Sequence, residues 1–235
     1  LAALFGAACE EPEPETLPHL DLILERGTIV DCSGRPGFVS DIGILDGRII
    51  EVGDLTEETA DERIDVAGLT VTPGFIDVHS HADLAEEAGR DARPYLSQGV
   101  TTVVVGVDGA GTHAVGDRFQ TWADEGIGVN ALAYVGHGHV RREVLGEDDR
   151  APSLAELRRM REMVRQAMEE GALGLSSGLF DPPGRYATTE EVVELGLVAS
   201  EWEDAIYDTQ DHDPEATAPG VTYQASLAAA VRIGA

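Results

Sequence analysis

Lysine is missing from this chain: all 16 basic residues among the 235 are Arg. No Schiff-base lysine, and no carbamylated lysine bridging two metal ions, can come from this segment. Cysteine is scarce as well. Cys9 and Cys32 are too few for a disulfide framework. Basic charge as a whole is short, with 16 Arg against 44 Asp and Glu. The resulting net charge of −28 excludes the basic face that nucleic-acid binding needs. Beyond the apolar start of the chain, no stretch approaches the roughly 18 consecutive apolar residues of a membrane span. What is present is a hydrophobic fraction of 43%, enough for a sizeable core in one large or two smaller domains.

The organisation changes along the chain. Leu1 to Ala8 is apolar and small, and Cys9 is followed by Glu10-Glu11-Pro12-Glu13-Pro14-Glu15. This resembles the end of a bacterial lipoprotein signal followed by an acidic tether. The expectation is a leader and tether over residues 1–18, a lipid anchor at Cys9, and a place in the cell envelope, the periplasm or the medium. A chance Cys in a disordered tail is the alternative, and it leaves the protein cytoplasmic. Residues 19–72 read as short strands and tight turns. Leu22-Ile23-Leu24 and Thr28-Ile29-Val30 are separated by Arg26-Gly27, and Asp46-Gly47 joins two apolar runs as a two-residue hairpin. This is the pattern of part of a small β-sandwich with no chemistry of its own.

From residue 73 strands alternate with helices. Val100 to Val107 is a β-branched run suited to a strand buried on both faces. Ser153 with Glu156 forms a capping box at the head of a helix that Gly171 ends. Thr188 or Thr189 starts another helix, and Ala205 to Thr209 reads as a strand. The alternation predicts a parallel α/β architecture with strands near 75, 103, 131, 173 and 206. Five strands are the first five of a (β/α)8 TIM barrel, in which active groups sit at the C-terminal strand ends.

Those ends are polar. The first carries His79-Ser80-His81, after the apolar run Phe75-Ile76-Asp77-Val78, which reads as a buried strand. Residues i and i+2 of a strand share a face, so the two imidazoles project together as a candidate metal-ligand pair. Taken alone, His-x-His is as often two ordinary histidines at a strand–loop junction. The second end gives Asp108-Gly109, the third Gly136-His137-Gly138-His139, the fourth Ser176-Ser177-Gly178, and the fifth Gln210-Asp211-His212-Asp213.

Pro73-Gly74-Phe75-Ile76-Asp77-Val78-His79-Ser80-His81 resembles the metal-binding first strand of the amidohydrolase superfamily. Four further stretches are similar to N-acyl-D-amino-acid deacylases (D-aminoacylases): Gln98 to Gly106, Val135 to Gly138, Gly171 to Leu179, and Pro182 to Glu191. The resemblance covers roughly residues 20–212, as an N-terminal fragment of such a protein. It implies a Zn2+ site of one or two ions with His79 and His81 as ligands. Asp108 stands where the family often has a metal-binding Cys. Gln210 stands where the family usually has a metal-binding His, and His212 where it has an Arg. Gln210 is a weak neutral ligand, and His212, two residues on, is the alternative donor. Substrate-binding roles are implied for His137, Ser177 and Tyr186. No catalytic residue is expected in this segment, because the family's acid/base Asp lies on strand eight. The implied activity is metal-dependent hydrolysis of a small N-acyl-D-amino acid, with the segment alone inactive. Two alternatives stand beside it: an amidohydrolase acting on cyclic amides, of the dihydroorotase type, and a non-catalytic envelope protein with a degenerate metal site.

Overall fold

The computed structural model describes residues 17–210, which fall into two compact units divided between Pro73 and Gly74. Cys9 and His212 therefore lie outside the described residues. No helix among the described residues is long and apolar enough to cross a membrane.

The first unit is a five-stranded sheet in the order β3-β2-β1-β4, with β5 also paired to β1. Its strands are β1 (Leu20–Ile29), β2 (Phe38–Leu45), β3 (Arg48–Gly53), β4 (Ala60–Asp65) and β5 (Thr70–Val71). β2 and β3 form the expected hairpin: Asp46 and Gly47 both take positive φ, 51° and 69°, as a two-residue turn between twisted strands requires. Arg26-Gly27 does not separate two strands. It is a bulge inside β1, where the register with β2 slips between Leu24 and Gly27 and the Arg26 N–H is caught by Asp41 Oδ1 at 2.8 Å. Leu20, Ile23 and Leu55 form the buried centre of this unit.

The second unit carries the alternating pattern. In order come β6 (Phe75–Asp77), α1 (Arg93–Leu96), β7 (Val100–Val105), α2 (Val115–Glu125), β8 (Asn130–Ala133), β9 (Val135–Gly136), α3 (His137–Leu145), α4 (Leu154–Glu169), β10 (Gly174–Gly178), α5 (Thr189–Ala199) and β11 (Ile206–Gln210). All ladders are parallel, β6-β7-β8 and β9-β10-β11. The third barrel strand is split at Tyr134, yet hydrogen bonding runs on through the break. The Tyr134 N–H donates to the Val105 carbonyl at 2.9 Å, and the Leu173 N–H to the Ala133 carbonyl at 2.8 Å. The described residues thus supply five strand positions of an incomplete (β/α)8 barrel.

The core lies between these strands and the helices. Val103, Val104 and Val105 are buried in succession on β7, as a strand covered on both faces demands. Helix α4 buries Met160, Met163, Val164, Ala167 and Met168, the i, i+3, i+4, i+7, i+8 stripe of a helix lying on a sheet. Its start is the expected capping box, with the Glu156 N–H on Ser153 Oγ at 3.3 Å and the Ser153 N–H on Glu156 Oε2 at 2.7 Å. One expectation is corrected. The β6 run is not buried: Phe75 is 58% and Ile76 62% exposed. β6 is an edge strand, paired with β7 on one side and with no strand on the other among the described residues.

Candidate metal centre

His79 and His81 are brought together by a turn rather than by the strand itself. β6 ends at Asp77, whose Oδ1 accepts from the His79 N–H at 3.3 Å. The Ser80 N–H then donates to the Val104 carbonyl at 2.9 Å, which brings the backbone back alongside β7. Ser80 is buried by this return, and the histidines on either side of it stay exposed, their ring centroids 5.7 Å apart. His81 also lines a cavity of about 230 Å³ with Tyr134 and Arg118.

Asp108 reaches them from the turn after β7, where it adopts the left-handed region at a φ of 54°. Asp is among the few residues that enter this region without great cost. Its Oδ2 lies 3.1 Å from His81 Nε2 and its Oδ1 3.5 Å from His79 Nε2. The turn is seated by the ends of the neighbouring strands. The Gly109 N–H donates to Ser176 Oγ at 3.1 Å, the His139 N–H to the Gly109 carbonyl at 2.9 Å, and the Gly136 N–H to the Gly111 carbonyl at 2.8 Å. Glycine is required where the backbones meet. A Cβ on Gly178 would stand 2.2 Å from the Asp108 carbonyl oxygen, and one on Gly136 2.3 Å from that of Gly109. The glycine-bearing ends of strands three and four therefore hold Asp108 in place.

His79, His81 and Asp108 can each offer one donor atom such that all three lie within 4.8 Å of one another. Ligands about 2.1 Å from a tetrahedral ion stand about 3.4 Å apart; here the two imidazole Nε2 atoms approach different oxygens of Asp108, His81 at 3.1 Å to Oδ2 and His79 at 3.5 Å to Oδ1. Two imidazoles and a carboxylate make three ligands and leave a fourth position open, the donor pattern of a catalytic zinc site. On its other side, His79 Nδ1 lies 3.0 Å from Asp208 Oδ1. That hydrogen bond holds the His79 imidazole above the usual histidine range. Partial burial opposes it, and the charges of Asp208 and Asp108 add to it.

The other residues singled out in the sequence are placed as follows. Gln210 closes β11 opposite Gly178 and lines a cleft of about 270 Å³ together with Asp108 and Arg142. His137 is fully buried at the head of α3, with Nε2 3.0 Å from Glu191 Oε1. Glu191 Oε2 in turn accepts from Arg141 Nη1 at 2.5 Å, and Arg141 Nη2 donates to the carbonyls of Asp148 and Arg150 at 3.1 and 2.7 Å. Ser177 is also fully buried, its hydroxyl shared between the Tyr207 hydroxyl at 2.6 Å and Thr209 Oγ1 at 2.7 Å. In this structure neither side chain faces solvent. Tyr186 is half-buried in a 3₁₀ turn, Gly184–Tyr186, that borders the same cleft through Gly184.

Three functional side chains escape the sequence pattern. Arg141 was not singled out in the sequence, and Glu191 stood there only as the end of the stretch Pro182 to Glu191. The available signal was that Glu191 shares the apolar face of α5 with Leu195 and Val198. Asp208 was legible only by alternation, since it faces the same side of β11 as Gln210.

Residues 62–205 match the model of the amidohydrolase family. This chain belongs to the amidohydrolase family. Its relatives include a D-aminoacylase of Alcaligenes xylosoxydans xylosoxydans, 39% identical over 74% of this chain and 41% of the relative. An N-acyl-D-glutamate deacylase of the same organism is 36% identical over 77% of this chain and 42% of the relative. Among solved structures, an N-acyl-D-glutamate deacylase of Bordetella bronchiseptica, complexed with zinc and a phosphonate inhibitor, superposes with a TM-score of 0.82. It is 32% identical, with 92% of this chain and 49% of that one covered. A D-aminoacylase structure gives a TM-score of 0.79 at 33% identity, again over 92% and 49%. This amidohydrolase chain spans less than half the length of each of these four relatives.

Proposed function

We propose that the full protein hydrolyses the amide bond of N-acyl-D-amino acids, releasing a carboxylate and a D-amino acid, and that this segment holds its zinc through His79, His81 and Asp108. The observation that carries the reading is the convergence of these three donors at the C-terminal strand ends of an amidohydrolase barrel. The D-aminoacylase and deacylase relatives supply the substrate class. Zinc bound there supplies the Lewis acidity that acidifies a water and polarises the scissile carbonyl.

The rest follows from the chain's own residues. Asp108 takes the position where the family resemblance places a cysteine. Its carboxylate is a harder donor than a thiolate, so the site leans toward harder divalent ions than a thiolate in that position would favour. The three donors suit one ion. A relative with a binuclear centre is described by one-metal activation and second-metal attenuation, which favours the same count here. Gln210 and Arg142 border the cleft beside Asp108. There the Arg142 guanidinium is already paired through Nε with Glu147 Oε1 at 2.9 Å. The test is hydrolysis by the zinc-loaded full-length protein of N-acetyl-D-amino acids, N-acetyl-L-amino acids and cyclic amides. The reading expects turnover of the D series. Turnover of cyclic amides alone, or none at all, refutes it.

The lipid anchor at Cys9 is a separate proposal, supported by the sequence of residues 1–15. Labelled fatty acid should enter the wild-type protein and not Cys9→Ser; label entering neither counts against it.

A further inference from the structure

His79 is held from two sides. Its Nε2 faces Asp108 Oδ1 at 3.5 Å and its Nδ1 lies 3.0 Å from Asp208 Oδ1. Asp208 does not belong to the group of donors that converge on one point. It sits on β11 in register with Ser176, on the strand position farthest from β6 among the described strands. Its side chain is 18% exposed, and its Oδ2 is buried without a hydrogen-bond partner among the described residues. A carboxylate this far removed from water is costly unless its charge is used. An ionised carboxylate only accepts hydrogen bonds, so the contact requires the proton of His79 on Nδ1. In the neutral ring, the form that ligates a metal, the lone pair is then on Nε2, the nitrogen that faces Asp108.

We infer that Asp208 is a positioning residue for the metal centre: it fixes the ring orientation and the Nδ1–H tautomer of His79, so that Nε2 presents its lone pair to the ion. The inference rests on the reading of His79, His81 and Asp108 as ligands. A carboxylate behind a ligating imidazole raises its basicity as a donor and restricts its rotation, and removing such a partner typically weakens metal binding about 10- to 100-fold. The same contact also ties the turn after β6 to β11, so the test must separate positioning from simple bracing.

The experiment is zinc competition against a chromophoric chelator in the full-length protein, for wild type, Asp208→Ala, Asp208→Asn and His79→Ala, with thermal melts of each metal-free protein. A second readout is the nitrogen NMR signature of His79 in the zinc-loaded protein. Asp208→Ala should weaken zinc about 10- to 100-fold and lose the fixed Nδ1–H tautomer. Asp208→Asn should fall between it and wild type, because its amide oxygen accepts the same N–H without the charge. A brace alone would lower the melting temperature and leave zinc affinity and tautomer unchanged, and that result overturns the inference. If Asp208→Ala does not fold, Asp208→Asn decides, and wild-type affinity in it is again refutation. If His79→Ala binds zinc as tightly as wild type, the ligand reading falls and this inference with it. If His79→Ala loses zinc while both Asp208 variants keep it, the inference alone falls.

Discussion

Glu191→Ala is the most informative perturbation of the scaffold. Arg141 and His137 are fully buried, and Glu191 is the anion that faces both. Removing one partner of a buried ion pair costs about 3–5 kcal/mol, because a charge stays behind without its counter-ion. The two carbonyls on Arg141 Nη2 remain, but they are neutral and offset only part of that loss. At about 2–4 °C per kcal/mol for a domain of this size, the melting temperature should fall by about 6–20 °C. Glu191→Gln, which keeps the shape, should lose less.

The pH dependence has a definite sign. Burial alone would raise the Glu191 carboxyl, but the hydrogen bonds and charges of His137 and Arg141 together outweigh it and hold the group below its ordinary value. Its stabilising contribution is therefore complete above the unfolded value of about 4.3 and is lost as pH falls through the lower folded value. Wild type should lose this advantage over Glu191→Gln only in acid. A melting temperature for Glu191→Ala within 2 °C of wild type near pH 7, on the scale of about 2–4 °C per kcal/mol, would refute the reasoning.

Two further outcomes follow from local geometry. Gly178→Ala must push the Asp108 turn aside, since its Cβ would stand 2.2 Å from the Asp108 carbonyl. Overpacking of about 1–3 kcal/mol falling on that proposed ligand should weaken zinc about 5- to 150-fold in a chelator competition. Ser153→Ala removes the cap of α4 and should cost about 1 kcal/mol, seen as a melting temperature lower by about 2–4 °C with zinc affinity unchanged.

Legibility followed the locality of each signal. Helices α4 and α5 could be read at their starts because Ser153 and Thr188 accept hydrogen bonds from their own first turns. α2 and α3 carry no side-chain cap, and the pattern left both unplaced. The β-branched run at 100–107 showed its strand because burial on both faces needs nothing but the run itself. The split of the third strand at Tyr134 depends on which neighbour each half meets, so the run Ile127 to Val135 could not show it.

At the site, His79, His81 and Asp108 were visible as strand-end residues. The helper groups were not. Glu191 meets Arg141 across 50 positions, and Asp208 meets His79 across 129. A local window shows which face such a carboxylate lies on, but not the partner it meets. The strand-end glycines were legible as turns, but their close approach to the Asp108 backbone belongs to the assembled barrel.

His79, His81 and Asp108 are proposed to bind a catalytic divalent ion. The most direct test is metal content per chain, after zinc reconstitution and removal of excess, in the full-length protein and in the His79→Ala/His81→Ala double variant. Wild type should retain zinc and the double variant should lose it, with hydrolysis of N-acyl-D-amino acids lost alongside it. A wild-type protein that retains no zinc, or a double variant that retains as much as wild type, would contradict the proposal.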